Sequence, residues 1–548
     1  MKKRMIAAIS LLISFAVGLE AIPFAVNPTD PVYRLIDMWL ARGALTKEVP
    51  LLRPYSPEVI IALLTQVAST GSGEEARIAS ALLADMEANR FNIGARAEGR
   101  GEVAGDKAGA ALAGGAEIAL HSEILDKVWA EGFMTVEGAY GQGTLGLPRG
   151  EGASQDGVYS GGNFGGGVSA SLSVQSSIFA GGPELWMQAG MGHASFGPFF
   201  NNGLVIGPQA PETPNFGLHA QFGGWRFSMG LFLLEKGGTQ NGVSIPGAIG
   251  KDVFFHSFSY SPAAGWDLGI FESIIVANRF EPMYLLPLAD YFLLQNRAGY
   301  GADGALGDNS LAGVYVKARL ANGLSAKALV YIDDLQFDDI IRLHWDTKWM
   351  LSAQGGFEWA PETGPVRLLS ADYSVVLPYM YTHYYSVGSD TANNYQNNYT
   401  TSGENFGPAL LPNSDRVEIN AFAPLGNGLE LTGVARLIRH GNASAGVTGL
   451  DPAKHDGGLG DDGWSNGSPS YQPPYVTGTT PMYLRFLAQD VLEYSWQAGL
   501  GASVEGKIGK ANLSLSARYL FEYRVNEDLV SGANVAHHYL SLSTTLLF

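Results

Sequence analysis

Cysteine is missing from this chain of 548 residues. Its absence excludes disulfides, thiol chemistry, thiolate metal sites and a lipid-modified cysteine. Long apolar runs are missing too, with one exception. Lys2, Lys3 and Arg4 precede an apolar stretch from Met5 to Val17. That is the length of a signal-peptide core, and it falls short of the roughly 20 residues a membrane-crossing helix needs. Residues 1–21 are expected to be a signal peptide, with cleavage after Gly18 or after Ala21. The sequence has no Walker A, HExxH or GxSxG pattern, and its 10 His are scattered. Gly141 to Gly146 reads GxGxxG, but no βαβ unit follows, so the match is discounted. No metal or cofactor is expected. Charged residues make up only 16% of the chain and sum to −18, which disfavours nucleic acid and anionic lipid as partners.

Glycine and aromatic rings are abundant: 71 Gly, 26 Phe, 24 Tyr and 10 Trp. With a mean hydropathy of +0.05, this composition fits strands that offer one face to lipid and the other to water. A secreted β-sandwich or β-solenoid is the plain alternative. From Asn92 onward the pattern has period two. Ile93, Ala95, Ala97, Gly99, Gly101 and Val103 share one face, while Arg96, Glu98, Arg100 and Glu102 share the other. The next segments set Ile118 and Leu120 against Glu117 and His121, then Val136 and Tyr140 against Glu131 and Glu137. Similar segments recur to the end of the chain, including two read separately at 341–351 and 353–359. The expected fold over residues 91–548 is an all-β transmembrane barrel of about 18 antiparallel strands. Leu540, Leu542, Thr544, Leu546 and Phe548 alternate to the last residue. A strand closed by a terminal aromatic resembles the signal read by the outer-membrane assembly machinery, which is therefore an expected partner alongside outer-membrane lipid.

Residues 22–90 read differently, as a small helical bundle or plug on the periplasmic side. Asp30-Pro31 and Ser56-Pro57 are helix starts, Gly43 is a stop, and a third helix runs from about Glu74 to Met86. Three such helices bury too thin a core to stand alone, so they are expected to dock on something larger.

Several residue groups invite a functional reading. Asp461, Asp462, Trp464, Tyr471 and Tyr475 lie in the long excursion 440–482. Rings that stack on sugar faces and polar groups that take hydroxyls make them candidate glycan contacts, against a bland reading as girdle and loop residues. Arg96, Glu98, Arg100, Glu102, Glu131 and Glu137 form a candidate lumen charge ladder, either tuning conductance or plugging the bore. Asp333, Asp334, Asp338 and Asp339 are a conceivable cation cluster, read more simply as a solvated turn.

Further fragments carry a resemblance. Tyr33 to Leu45 and Arg53-Pro54-Tyr55-Ser56 lie in the helical segment; Glu272, Tyr284 and Pro287 lie in Phe271-Glu272-Ser273 and Met283 to Leu288. Asp308 and Asn309 open one strand, Asp333 and Asp334 close the next, and Tyr381, His383, Asn413 and Asp415 follow in order. In this order and spacing the chain resembles the Wzi-type capsule-assembly outer-membrane proteins over nearly its whole mature length. The resemblance implies a barrel of about 18 strands, a periplasmic helical plug and a non-catalytic surface lectin that anchors capsular or other exported polysaccharide. Two rivals stand beside it. One is a passive diffusion porin or uptake channel. The other is a barrel enzyme using His121, His193, His344 or His383.

Overall fold

The computed structural model describes residues 27–548 except 47, 89, 126–127, 143–145, 152–162, 178–183, 200–202, 235–238, 241–242, 245–249, 278–279, 288, 299–307, 336–348, 383–397, 402–403, 427, 448–451, 453–474, 477–479, 482–484 and 510. The signal-peptide assignment falls outside the described residues.

Three helices come first: α1 (Pro31–Arg42), α2 (Pro57–Thr70) and α3 (Gly73–Met86). Their ends follow from local chemistry. The Asp30 carboxylate accepts from the Val32 N–H ahead of Pro31, and Gly43 at φ 76° lets the chain leave α1 in the left-handed region. Ser72 and Glu75 form a reciprocal capping box at the start of α3.

Eighteen strands then close into one antiparallel barrel. They are β1 (Arg90–Ala104), β2 (Lys107–Leu125), β3 (Val128–Gln142), β4 (Asn163–Ser177), β5 (Glu184–Gly192) and β6 (Thr213–Phe222). Next come β7 (Trp225–Leu234), β8 (Lys251–Tyr260), β9 (Trp266–Ala277), β10 (Asn309–Ala321), β11 (Leu324–Leu335) and β12 (Trp349–Trp359). The last are β13 (Leu368–Val376), β14 (Ser414–Gly426), β15 (Leu429–Gly441), β16 (Leu492–Ile508), β17 (Ala511–Val525) and β18 (Val535–Leu547). β18 pairs with β1 from Leu547↔Gly94 to His537↔Ala104, which leaves the sheet no open edge. Residues 341–348 are outside the described residues, and β12 runs unbroken from 349 through 359, across the break expected at Ser352. Inward Met350, Ser352, Gln354, Gly356 and Glu358 keep one alternation along it.

The strands alternate direction, so the connections sort by end. Short turns such as 223–224, 322–323 and 509–510 lie at one end with Phe548, and the long connections 193–212, 278–308, 377–413 and 442–491 lie at the other. Ile270, Val314, Phe357, Leu500 and Leu542 are exposed on the outer wall, as lipid contact requires.

The helices do not stand beside the barrel; they fill its short-turn end. The Ala41 carbonyl accepts from the Gly323 N–H, and Arg42 donates to the Ala360 and Pro361 carbonyls. Lys317 on the inner wall pairs with Glu48 at 3.1 Å. Within the plug, Arg53 donates to Asp37 at 2.8 Å and lies over the rings of Tyr33 and Tyr55. Although burial opposes it, the Arg53 charge and hydrogen bond hold the Asp37 carboxyl below its ordinary value. Deeper in, Leu52 and Arg53 pair with Phe196 and Ser195 of the 193–212 connection. Plug and inward-folded loop thus meet inside the lumen.

Candidate functional site

The inner wall has two unlike sides. On β7 to β11 the inward residues include Phe232, Val253, Phe255, Phe271, Ile275, Tyr315, Leu329 and Tyr331, all buried. Loop residues Phe196, Leu204, Ile206, Tyr381, Tyr399 and Phe406 pack on them as one apolar cluster. This departs from the expectation of a wholly wet lumen. Alternation along a strand says which residues share a face, but not whether that face meets water or a loop.

On β13 to β18 and β1 the inward face is charged. Glu418 is fully buried between Arg436, at 2.5 Å, and Arg416, at 3.7 Å. Arg524 pairs with Glu522 at 2.8 Å and with Glu527 at 2.9 Å, and His537 joins Glu102 at 2.9 Å. The β3–β4 connection drops into this face. Glu151 takes Arg436 and Arg518 together, and Arg149 forks onto Glu493 through Nε at 2.6 Å and Nη2 at 3.0 Å. Burial alone would raise the Glu151 carboxyl. The Arg518 hydrogen bond and the Arg436 and Arg518 charges instead pull it down to about 2. Between this loop and α1 lies a cavity of about 390 Å³, whose lining includes Arg34, Glu151, Asp372, Asn420, Arg436 and Arg518.

The long-loop rim over the same side holds a second pocket of about 220 Å³, lined by Arg149, Leu410, Leu411, His440, Glu493 and Asp528 among others. Next to the lining residue Ser414, Asn413 ties together the loop ends beside the pocket. At φ 58°, its amide donates to the Gly441 carbonyl and Gln489 Oε1 and accepts from the Leu487 N–H.

The residues singled out from the sequence do not gather in one place. Arg96, Glu98, Arg100 and Glu102 point inward, with Glu98 held by Arg96 at 3.1 Å and Arg100 at 2.5 Å. Glu131 shares that inward face two strands away. It is buried and bonded to His121 at 2.6 Å, whose other ring nitrogen reaches the Met86 carbonyl at the end of α3. Glu137 and Asp334 lie on strands, but their side chains are outside the described residues. Asp333 is buried and accepts from the Tyr381 N–H at 2.9 Å. It belongs to no solvated turn, because the 377–382 segment folds inward over it. Asp338 and Asp339 are outside the described residues.

Glu272, Tyr284, Pro287 and Asp308 sit at the outer wall or in the segment covering it. Glu272 accepts from the Tyr291 N–H and Tyr284 donates to Asp308. Asn309 is buried at the start of β10 and Tyr381 lies in the apolar cluster. Asp415 faces outward with Arg439 and Tyr373. Trp464, Tyr471, Asp461, Asp462, His344 and His383 are outside the described residues. Tyr475 is seen only as backbone, paired with Pro481. The sequence reading passed over Arg149, Glu151, Arg416, Glu418, Arg436, Arg518, Glu522 and Arg524. The Arg-x-Glu and Glu-x-Arg steps at 416–418 and 522–524 were its available signal.

No family model and no curated protein matches the sequence. Solved structures do match. Wzi of Escherichia coli, an outer-membrane protein involved in group 1 capsule assembly and a carbohydrate-binding β-barrel, superposes with a TM-score of 0.54 at 14% identity, over 96% of this chain and 99% of its own. This chain has the Wzi fold. OccK7 of Pseudomonas aeruginosa matches with a TM-score of 0.42 at 10% identity, over 84% of this chain and 100% of its own. A closed, apolar-walled barrel of 18 strands with the Wzi fold is an outer-membrane barrel.

Proposed function

We propose that this barrel binds and anchors polysaccharide at the cell surface and performs no catalysis. In this reading the helical segment and short turns face the periplasm and the long loops face outward. The C-terminal strand ending at Phe548 engages the assembly machinery. The observation that supports the reading most is the occupied lumen. Plug helices enter from one end, loops fold in from the other, and they pair at Leu52–Phe196. A diffusion channel needs a continuous wet path, whereas a lectin needs only a rigid rim. Wzi, which shares the fold, binds carbohydrate. Several weak contacts along one polymer raise the effective concentration and give firm attachment.

The second reading is a diffusion channel, favoured by the charged cavity of about 390 Å³ on one side of the lumen. Planar-bilayer recording separates the two: the anchor is nearly silent, and stepwise opening of the wild-type protein overturns it. In cells, deleting the gene is expected to release polysaccharide into the medium without stopping its synthesis. Unchanged retention counts against anchoring.

A further inference from the structure

The rim pocket has a built asymmetry. Its arginine is held from below by a buried carboxylate, Glu493, with 4% of its side chain exposed. From above it meets Asp528 at 2.5 Å, with 75% of that side chain exposed. The Arg149 side chain is itself 34% exposed. Glu493 occupies Nε and one Nη and fixes the plane of the fork, so the outward edge is a preformed receptor for a second carboxylate. Asp528 now fills that place from a turn in which Asn526, Asp528 and Leu529 all have positive φ, at 56°, 54° and 60°, a conformation that Asn and Asp tolerate better than Leu. The lining also carries Ala409, Leu410, Leu411 and Leu529, with Leu411 exposed. A pyranose bearing a carboxylate has this same division, one C–H face and one charged edge, and a pocket of about 220 Å³ has room for a single such residue.

We infer that the rim pocket is a subsite for an acidic sugar residue, whose carboxylate displaces Asp528 from Arg149 while its apolar face lies on Leu411 and Leu529. Asp528 is then an internal stand-in for the ligand. Its exchange for a glycan carboxylate keeps the number of ion pairs constant, while the Asp528 N–H still donates to Glu493 and holds the turn in place. The net charge of −18 does not forbid this, since exposed charges beyond about 8 Å are screened at physiological salt and the local guanidinium decides.

The subsite rests on the polysaccharide-anchoring reading, and the test keeps the two apart. The full-length barrel is refolded in detergent and titrated with oligogalacturonate, with its methyl-esterified form and with neutral dextran. Wild type is expected to prefer the free acid, with binding that weakens as salt rises. Asp528→Asn removes the competing charge but keeps a residue that tolerates positive φ. It is expected to tighten oligogalacturonate by about two- to fivefold, the worth of an exposed ion pair, and to leave dextran unchanged. Arg149→Gln is expected to abolish the preference for acid over ester in protein that still shows the heat-modifiable mobility of a folded barrel. If Asp528→Asn binds the acid no better than wild type, or neither protein binds it, the subsite is overturned. Dextran binding under those conditions leaves the anchoring reading standing, and failure of every glycan removes both.

Discussion

The two sides of the lumen are built from the same strand geometry and stabilised by different physics. On β7 to β11, Phe196 from a loop meets Phe255 and Phe271 with ring centroids 4.6 and 4.9 Å away, and buried charge stands at the margin of this ring cluster, where Tyr315 donates to Asp267, the partner of Arg226. On β14 to β18, Glu151 from another loop meets Arg436 and Arg518. The apolar side gains from removal of surface from water, which does not depend on protonation. The charged side gains only while every buried ion keeps its partner. One side is a core turned into a barrel wall. The other is a clasp.

That contrast can be broken experimentally, beginning with the largest effect. Phe271→Ala empties the middle of the apolar cluster and is expected to cost about 3–5 kcal/mol, read by denaturant unfolding in micelles. Single-channel silence should persist, because the charged side still holds its loop. Glu151→Gln leaves Arg436 and Arg518 short of a carboxylate and is expected to cost about 1–3 kcal/mol. Here new conductance or protease cleavage within 143–162 should accompany the loss, and an unchanged, silent protein would refute the clasp.

The same loop should respond to acid. The folded value of the Glu151 carboxyl lies near 2, below its ordinary 4.5. Its contribution is therefore complete above the ordinary value and drains away as pH falls through the folded one. Protease access to the loop is expected to rise between those limits, while Phe271→Ala shifts stability by the same amount at every pH. The smallest effect belongs to the rim of the plug. Lys507 lies 3.9 Å from Asp85 with half its side chain exposed, so Lys507→Ala should cost less than about 1 kcal/mol. A larger loss would mean that plug retention depends on surface charge.

Much of this architecture was legible beforehand, and the particular elements say why. The helix starts at Asp30-Pro31 and Ser56-Pro57 are chemistry between residues a few positions apart. The inward alternation Arg96, Glu98, Arg100, Glu102 is strand geometry alone. The strand at 349–359 was split at Ser352, although the inward alternation Met350, Ser352, Gln354 runs straight through it. The partner of Glu131 was illegible because nothing near it in sequence announces the end of α3, which His121 links to it. The rim pocket was illegible for the same reason: Arg149 and Glu493 stand 344 positions apart.

By itself, the sequence determined a closed barrel, its strand spacing, its short-turn and long-loop ends and the three helices before it, since each follows from periodicity or capping within a few residues. Only the tertiary structure decided which inward faces are dry, which loops enter the bore and which carboxylate meets which guanidinium. Period two assigns a side chain to a face of the sheet. What fills the space before that face is set by segments hundreds of positions away.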